Sequence, residues 1–352
     1  MSAPSSPRLH LIENLRGVAA LSVLGFHSLN SFDRPGALHP ALALLRPVTE
    51  FGYLGVSMFF AISGWCIAQR IQIAWQRGES PGHFALERFL RIFPVYWLCL
   101  VMAIGLRLLA APVRQVPLGS CLPAGPGAWW GDLLLLQPYF GTTSYLVVSW
   151  SLVYELGFYA LAAGALTARR WIGGSLWLVG TGLLLCLWSA GGPHMRWLLV
   201  FDRWPDFFGG MLAWWAARQT QPWLRRLGVA AILLLIVLSP AGPADIVRLA
   251  AVGTALLLFC AARIPRLGGF NWPSLAGVGA MSYSLYLIHL PVLSPYLNLV
   301  QRAVAPSQFT FIVCWLGGLA LTLLAARAVY HWGEAPIERW RRAKFSSRRV
   351  PA

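Results

Sequence analysis

About ten apolar stretches, most of them near twenty residues long, follow one another along this chain and restrict it to one architecture. They cover 10–30, 52–73, 91–111, 149–168, 171–190, 197–217, 227–240, 246–263, 275–297 and 309–331. A helix crossing the roughly 30 Å hydrocarbon core of a bilayer needs about 20 predominantly apolar residues. Inside lipid each such segment must satisfy its own backbone polar groups, which selects helices. The expected fold is therefore all-α, a polytopic membrane protein of about ten transmembrane helices. Of the 352 residues 57% are hydrophobic and 11% charged, against about 25% charged in soluble domains. Ten spans put both termini on one side. Most basic residues outside the spans fall on that side, so the positive-inside bias predicts N-in and C-in. The organisation expected is a short cytoplasmic N-terminus (1–9), a membrane domain (10–335) and a basic cytoplasmic tail (336–352).

The net charge of +16 invites a nucleic-acid partner, but the basic residues are scattered between apolar spans. Lys344 is the sole lysine among 28 basic residues. Positive-inside topology and attraction to anionic lipid headgroups account for the excess, so the partner expected is membrane lipid and not nucleic acid. Six cysteines, Cys66, Cys99, Cys121, Cys186, Cys260 and Cys314, include no C-x-x-C pair. They read as packing residues, with no metal site and no disulfide framework. The Pro- and Gly-rich stretch 112–148 reads as a long outer loop. Within it, 129–140 is too short to span and reads as interfacial or re-entrant.

Several ionisable residues fall inside apolar segments, where they are costly and mark a polar cavity or a partner. Arg16 and His27 lie eleven apart in the first segment. At about 100° per residue they project from one helix face, roughly 16 Å apart along the axis. Arg88 and Arg91 share a helix face just before Pro94. They are either ordinary inner-face arginines or an anion clamp, since a guanidinium fork donates two parallel hydrogen bonds to a phosphate. Glu155 sits about six residues into the fourth segment, either paired with an arginine for structure or orienting a catalytic group. Asp202, Arg203 and Asp206 read as a local ion-pair set. Tyr283, Tyr286 and His289 recur every three residues and form a stripe, with His289 read as a satisfied core donor before a functional group and Pro291 expected to kink the helix just beyond. Ser63 is one of several small residues in the second segment that permit close helix approach. No G-x-S-x-G, H-E-x-x-H or phosphate-loop pattern occurs, which leaves His27 as the best general-base candidate.

At this point the chain resembles the integral-membrane acyltransferase 3 family, which includes O-acetyltransferases of bacterial surface polysaccharides. Arg16 and His27 match its R-x10-H signature within LRGVAAL. GYLGVSMFFAISGW matches its second-helix pattern, and RFLRIFPVYW matches its arginine motif at Arg88 and Arg91. WSLVYELGFY places the motif's acidic residue on Glu155. DFFGGML, SYSLYLIHLPV and EAP at Glu334 match later patterns in the family's order. One departure is Ser57, where relatives often carry an acidic or polar residue after Gly-Val. The resemblance implies a bacterial inner-membrane enzyme that moves an acyl group, commonly acetyl, from acyl-CoA to a hydroxyl of a carbohydrate or related acceptor. It implies no permanently bound cofactor, with acyl-CoA as co-substrate. Arg16, Arg88 and Arg91 would bind the donor, and His27 would act as base with Glu155. Ser63, Tyr283, Tyr286 and His289 would support them. The alternative is a proton-coupled secondary transporter or exporter of a polar or anionic solute, which would need no acyl-CoA.

Overall fold

The computed structural model describes residues 9–30, 44–168, 182, 203–238, 245–303 and 308–346. All regular structure among them is helical: α1 (Leu11–Asn30), α2 (Gly55–Gln76), α3 (Pro81–Arg114), α4 (Gly125–Leu134), α5 (Trp150–Ala168), α6 (Trp204–Ala217), α7 (Pro222–Val237), α8 (Ile246–Arg263), α9 (Pro273–Ala280), α10 (Ser282–Ala303), α11 (Gln308–Val329) and α12 (Ala335–Ser346). The fifth expected span and Asp202 lie outside the described residues, apart from Gly182. Among the described residues, five helical stretches are long and apolar enough to cross a membrane, and six if the pair broken at Met281 counts as one span. The helix containing Arg16 and His27 is not among those five.

Two boundaries differ from expectation for identifiable reasons. α3 begins about ten residues before the third apolar stretch, because Ser80 and Pro81 form a start signal. Ser80 Oγ accepts from the His83 amide at 3.2 Å, and proline suits the first helical position. At about 1.5 Å per residue its 34 residues run well past one hydrocarbon thickness. The ninth stretch is interrupted at Met281, and α10 then runs on through Pro291 and Pro295.

The chain forms two interleaved compact units. The first contains residues up to Ala19, Leu54–Phe84 and Tyr154–Ala280. Its centre is α6, packed on α2, α7 and α8. Phe207 stacks on both Phe60 and Phe158, with ring centroids 4.4 Å apart in each pair. Backbones touch where α2 and α6 cross. A Cβ on Gly64 would lie 1.9 Å from the Phe207 carbonyl oxygen, and one on Gly210 would lie 1.8 Å from that of Ala61. Small residues at such crossings let helices gain close packing that larger ones forbid. Gly210→Ala is therefore expected to prevent recovery of folded protein from detergent. Gly105→Ala, whose added methyl meets nothing within 4 Å, should leave size-exclusion and melting profiles intact.

The second unit contains Ala20–Tyr53, Ala85–Val153 and the chain from Met281. The stretch expected as a long outer loop is built around a buried carboxylate here. Asp132 Oδ1 accepts from Gln137 Nε2 at 3.0 Å and from the Tyr145 amide at 2.9 Å. Tyr96 Oη donates to the Asp132 carbonyl at 2.7 Å, and Tyr145 Oη donates to that of Cys121 at 2.6 Å. Burial pushes the Tyr145 phenol's pKa up, which keeps it a donor. Arg107 lies 4.0 Å over the Tyr145 ring. α4 ends at Leu135, which takes a left-handed φ of 57°. That conformation is strained for a residue with a γ-branched side chain, and full burial of the leucine offsets the strain. Residues 129–140 are thus two short helices joined by this turn, and neither is a span.

Candidate functional site

α1 is uninterrupted from Leu11 to Asn30, so Arg16 and His27 stand on one helix as their spacing requires. The C-terminal part of α1 belongs to the second unit, and there the His27 ring meets another histidine. The centroid of His289 on α10 lies 5.1 Å away, with the rings tilted by 43°. His27 is half-buried, whereas His289 is only 1% exposed. His289 Nδ1 is 2.7 Å from the Tyr286 carbonyl oxygen and 3.2 Å from that of Leu285. A carbonyl oxygen can only accept, so Nδ1 carries the proton and Nε2 bears the lone pair. That Nε2 is buried, with no hydrogen-bond partner among the described residues. Ser28, next to His27, is fully buried. Its hydroxyl donates to the Gly25 carbonyl at 2.7 Å, which removes it as a ready nucleophile.

The tyrosine stripe on α10 is spent on anchoring. Tyr283 Oη donates to the Ile92 carbonyl at 2.8 Å. Tyr286 Oη donates to the Val148 carbonyl at 3.0 Å and lies 2.8 Å from Ser151 Oγ. Both anchors hold α10 in place within the second unit, and with it His289.

Arg88 and Arg91 lie in a cluster of opposite charges in the same unit. Arg88 pairs with Glu87 at 2.7 Å. Arg91 pairs with Glu334 at 3.1 Å and with Glu338 at 3.7 Å, beneath the Tyr283 ring at 5.7 Å. Glu334 sits on a single turn of π-helix, Tyr330–Glu334, a geometry often found at functional positions. It also accepts from the Ser284 amide at 3.2 Å and hydroxyl at 2.7 Å. Its partner is therefore Arg91 rather than the basic tail. The tail's α12 is tied down separately: Arg341 pairs with Glu87 and also with Glu338, which additionally holds Arg342 at 2.7 Å. Among the described residues, arginines 88, 91, 341 and 342 pair with the carboxylates of Glu87, Glu334 and Glu338. The sequence could not announce this cluster, because its members are about 250 residues apart and each alone reads as an ordinary boundary charge.

The remaining candidates belong to the first unit. Glu155 on α5 accepts from Ser63 Oγ at 3.3 Å and from the Tyr159 hydroxyl. These partners are hydroxyls, one from α2 and one from a turn further along α5, where an arginine was one expectation. Arg16 reaches Glu13 at 3.9 Å, one turn earlier. Asp206 does pair with Arg203 at 3.9 Å, but its shorter bond is to Arg248 on α8 at 2.7 Å. A cavity of about 340 Å³ lined by Gln72, Trp75, Trp215 and Arg218 contains none of the expected site residues. Among the described residues no group of three His, Cys, Asp or Glu side chains is placed to hold a metal ion.

Apolar helices long enough to span, with imidazoles and guanidinium–carboxylate pairs among them, define an integral-membrane protein with a polar site. The chain belongs to the acyltransferase 3 family, whose model, described as an acyltransferase domain, matches residues 9–331. Among curated proteins it is similar to the peptidoglycan O-acetyltransferase OatA of Listeria monocytogenes, 23% identical over 353 residues, covering 87% of this chain and 54% of the relative. It is similar to protein 2 in the picA locus of Rhizobium radiobacter, 32% identical over 168 residues, covering 44% of this chain and 81% of that one. It is also similar to the exopolysaccharide production protein ExoZ of Rhizobium meliloti, 34% identical over 150 residues, covering 40% and 41% of the two chains. The chain thus spans about half the length of the Listeria relative. No solved structure gives a significant match.

Proposed function

We propose that this protein is a membrane O-acyltransferase that moves an acyl group, acetyl in the simplest case, from acyl-CoA to a hydroxyl of a saccharide. It would lie in a bacterial inner membrane with ten spans and both termini inside. The observation that carries the reading is the half-buried His27, set beside a second imidazole in a chain whose family transfers acyl groups. The peptidoglycan and exopolysaccharide names of two relatives support a saccharide acceptor. In this reaction His27 takes the proton of the acceptor hydroxyl as its oxygen attacks the thioester carbonyl. The carbon–sulfur bond breaks, and the thiolate leaves with that proton as the free CoA thiol. Direct transfer is favoured over an acyl-serine route because Ser28 is buried and already bonded.

In this reading the donor phosphates are taken by Arg16, from the R-x10-H signature, and by the two residues of the arginine motif, Arg88 and Arg91. The last two are held by carboxylates in this structure, so a phosphate must displace at least one carboxylate to reach them. Two charge-assisted guanidinium forks are suited to the product of that exchange. Arg88→Ala and Arg91→Ala are expected to raise the donor KM with little change in kcat. Unchanged donor affinity in the double variant would remove the clamp from the reaction. The function itself is tested with purified protein in liposomes containing labelled acetyl-CoA and oligosaccharide acceptors. Acceptor-dependent release of CoA thiol with label on the sugar is expected. Solute movement without thiol release would establish the transporter instead.

A further inference from the structure

We propose that the cavity between α2 and α6 is a binding site for an anionic phospholipid, with the headgroup phosphate held by Arg218 and Trp75 and an acyl chain lying on the apolar wall. α2 and α6 touch backbone to backbone at Gly64 and Gly210. Towards the C-terminal ends of both helices lies the cavity of about 340 Å³, lined by Ala68, Gln72 and Trp75 of α2 and by Met211, Trp215 and Arg218 of α6. Within each set the residues are four and then three apart, so each set occupies one helix face. All six belong to the first unit. The volume falls within the range of small-ligand pockets, about 300–1,000 Å³.

Three observations say what occupies it. The first is a donor. Trp75 Nε1 is buried and has no hydrogen-bond partner among the described residues. An indole N–H can only donate, and burying it unsatisfied is costly, so the cavity calls for an acceptor oxygen. The second is positive charge. Arg218 is exposed just past the last turn of α6, where its guanidinium lies 5.1 Å over the Trp214 ring. The chain at this end, residues 218–226 and 263–266, carries Arg218, Arg225, Arg226, Arg263 and Arg266 and no carboxylate. The two stretches meet where Arg263 Nη1 donates to the Ala217 carbonyl at 3.4 Å. Glu79, just past α2, already holds Arg70 and His83. The third is the wall. Ala68 and Met211 are apolar and suit a hydrocarbon chain, whereas a free phosphate would gain nothing from them.

A guanidinium fork and an indole N–H match the oxygens of a phosphate diester. Basic pockets between membrane helices are where anionic headgroups bind. Tryptophan suits the boundary between chain and headgroup, because its ring is apolar and its N–H is polar. The lipid ties the C-terminal halves of α2 and α6 together beyond the glycine crossing, so its binding raises the melting temperature.

Binding is read without turnover, which keeps the outcome independent of the acyl-transfer proposal. Purified protein in neutral detergent is titrated with phosphatidylglycerol or with phosphatidylcholine of the same chains, and retained lipid is measured by native mass spectrometry. Phosphatidylglycerol is expected to be retained in preference to phosphatidylcholine. Arg218→Gln should weaken it about fivefold, the worth of one basic side chain at a headgroup. Trp75→Phe, which keeps an aromatic ring and removes the N–H, should weaken it by a similar factor. Arg46→Gln removes the same charge from an exposed position outside the cavity and should change nothing. Equal retention of the two lipids, unchanged affinity in either cavity variant, or equal weakening in Arg218→Gln and Arg46→Gln overturns the inference. Inorganic phosphate and glycerol phosphate separate a lipid headgroup from a soluble anion: neither should displace the lipid, and displacement by either overturns the lipid assignment. Wild-type protein supplies an independent measurement if a variant fails to fold. Phosphatidylglycerol with a photoreactive acyl chain should cross-link within residues 68–75 or 208–219, and cross-links confined to other segments overturn the inference.

Discussion

His27→Ala is expected to lower kcat by about 10²- to 10⁴-fold, the range over which a positioned general base contributes. The loss should fall on kcat and leave the donor KM close to its original value, because the imidazole acts on the acceptor's proton and not on the phosphates. Folding should survive. The ring is half-buried at the end of a helix, and truncating it does not disturb the glycine-mediated crossing of α2 and α6. The measurement is initial rate of CoA-thiol release at saturating acetyl-CoA, with a melting curve taken in the same detergent. A well-folded His27→Ala protein with near-normal turnover would show that the proton leaves by another path.

Arg248→Ala is expected to lower stability by about 3–5 kcal/mol, the cost of stranding one member of a buried ion pair. Arg248 is 5% exposed and Asp206 1% exposed, and their bond is 2.7 Å long. Arg203 at 3.9 Å is too distant to replace a direct guanidinium contact. Asp245 caps α8 by accepting from the amides of Val247 and Arg248 at 3.0 and 3.3 Å, which fixes where the Arg248 side chain leaves the helix. The reason for the loss is the unpaired carboxylate rather than the missing arginine. The double variant Asp206→Leu/Arg248→Met removes both charges and should recover much of the stability, since well-packed apolar replacements of buried pairs are often neutral or better. Thermal unfolding followed by tryptophan fluorescence compares the two. If the double variant is as unstable as the single, the pair contributes through shape and not through charge.

The sequence and the structure divide the information between them along a physical line. Whatever depends on neighbours along the chain was legible beforehand. The apolar stretches gave an all-helical expectation, and the eleven-residue interval placed Arg16 and His27 on one helix. The motif order identified the family that the model match establishes. Ser80–Pro81 was a readable start signal for α3 that apolarity alone overlooks, since the helix begins in polar sequence. The Pro- and Gly-rich stretch 112–148, read as an outer loop, was misleading because its organising contact, Asp132 with Gln137 and Tyr145, is a buried carboxylate satisfied from outside its own helix.

What the tertiary structure alone decided is pairing across long separations. Composition makes Asp206 and Arg203 a local pair, yet Arg248 is the closer partner. Glu334 lies just before the basic tail in sequence, yet it holds Arg91, and the tail's Arg341 turns to Glu87. His289 is one tooth of a three-residue stripe in the sequence, and only the packed helices bring it against His27. A sequence specifies which face of a helix each side chain occupies, because the backbone repeat is local. It does not state which face meets which, because that is settled by burial, shape and charge among segments hundreds of residues apart.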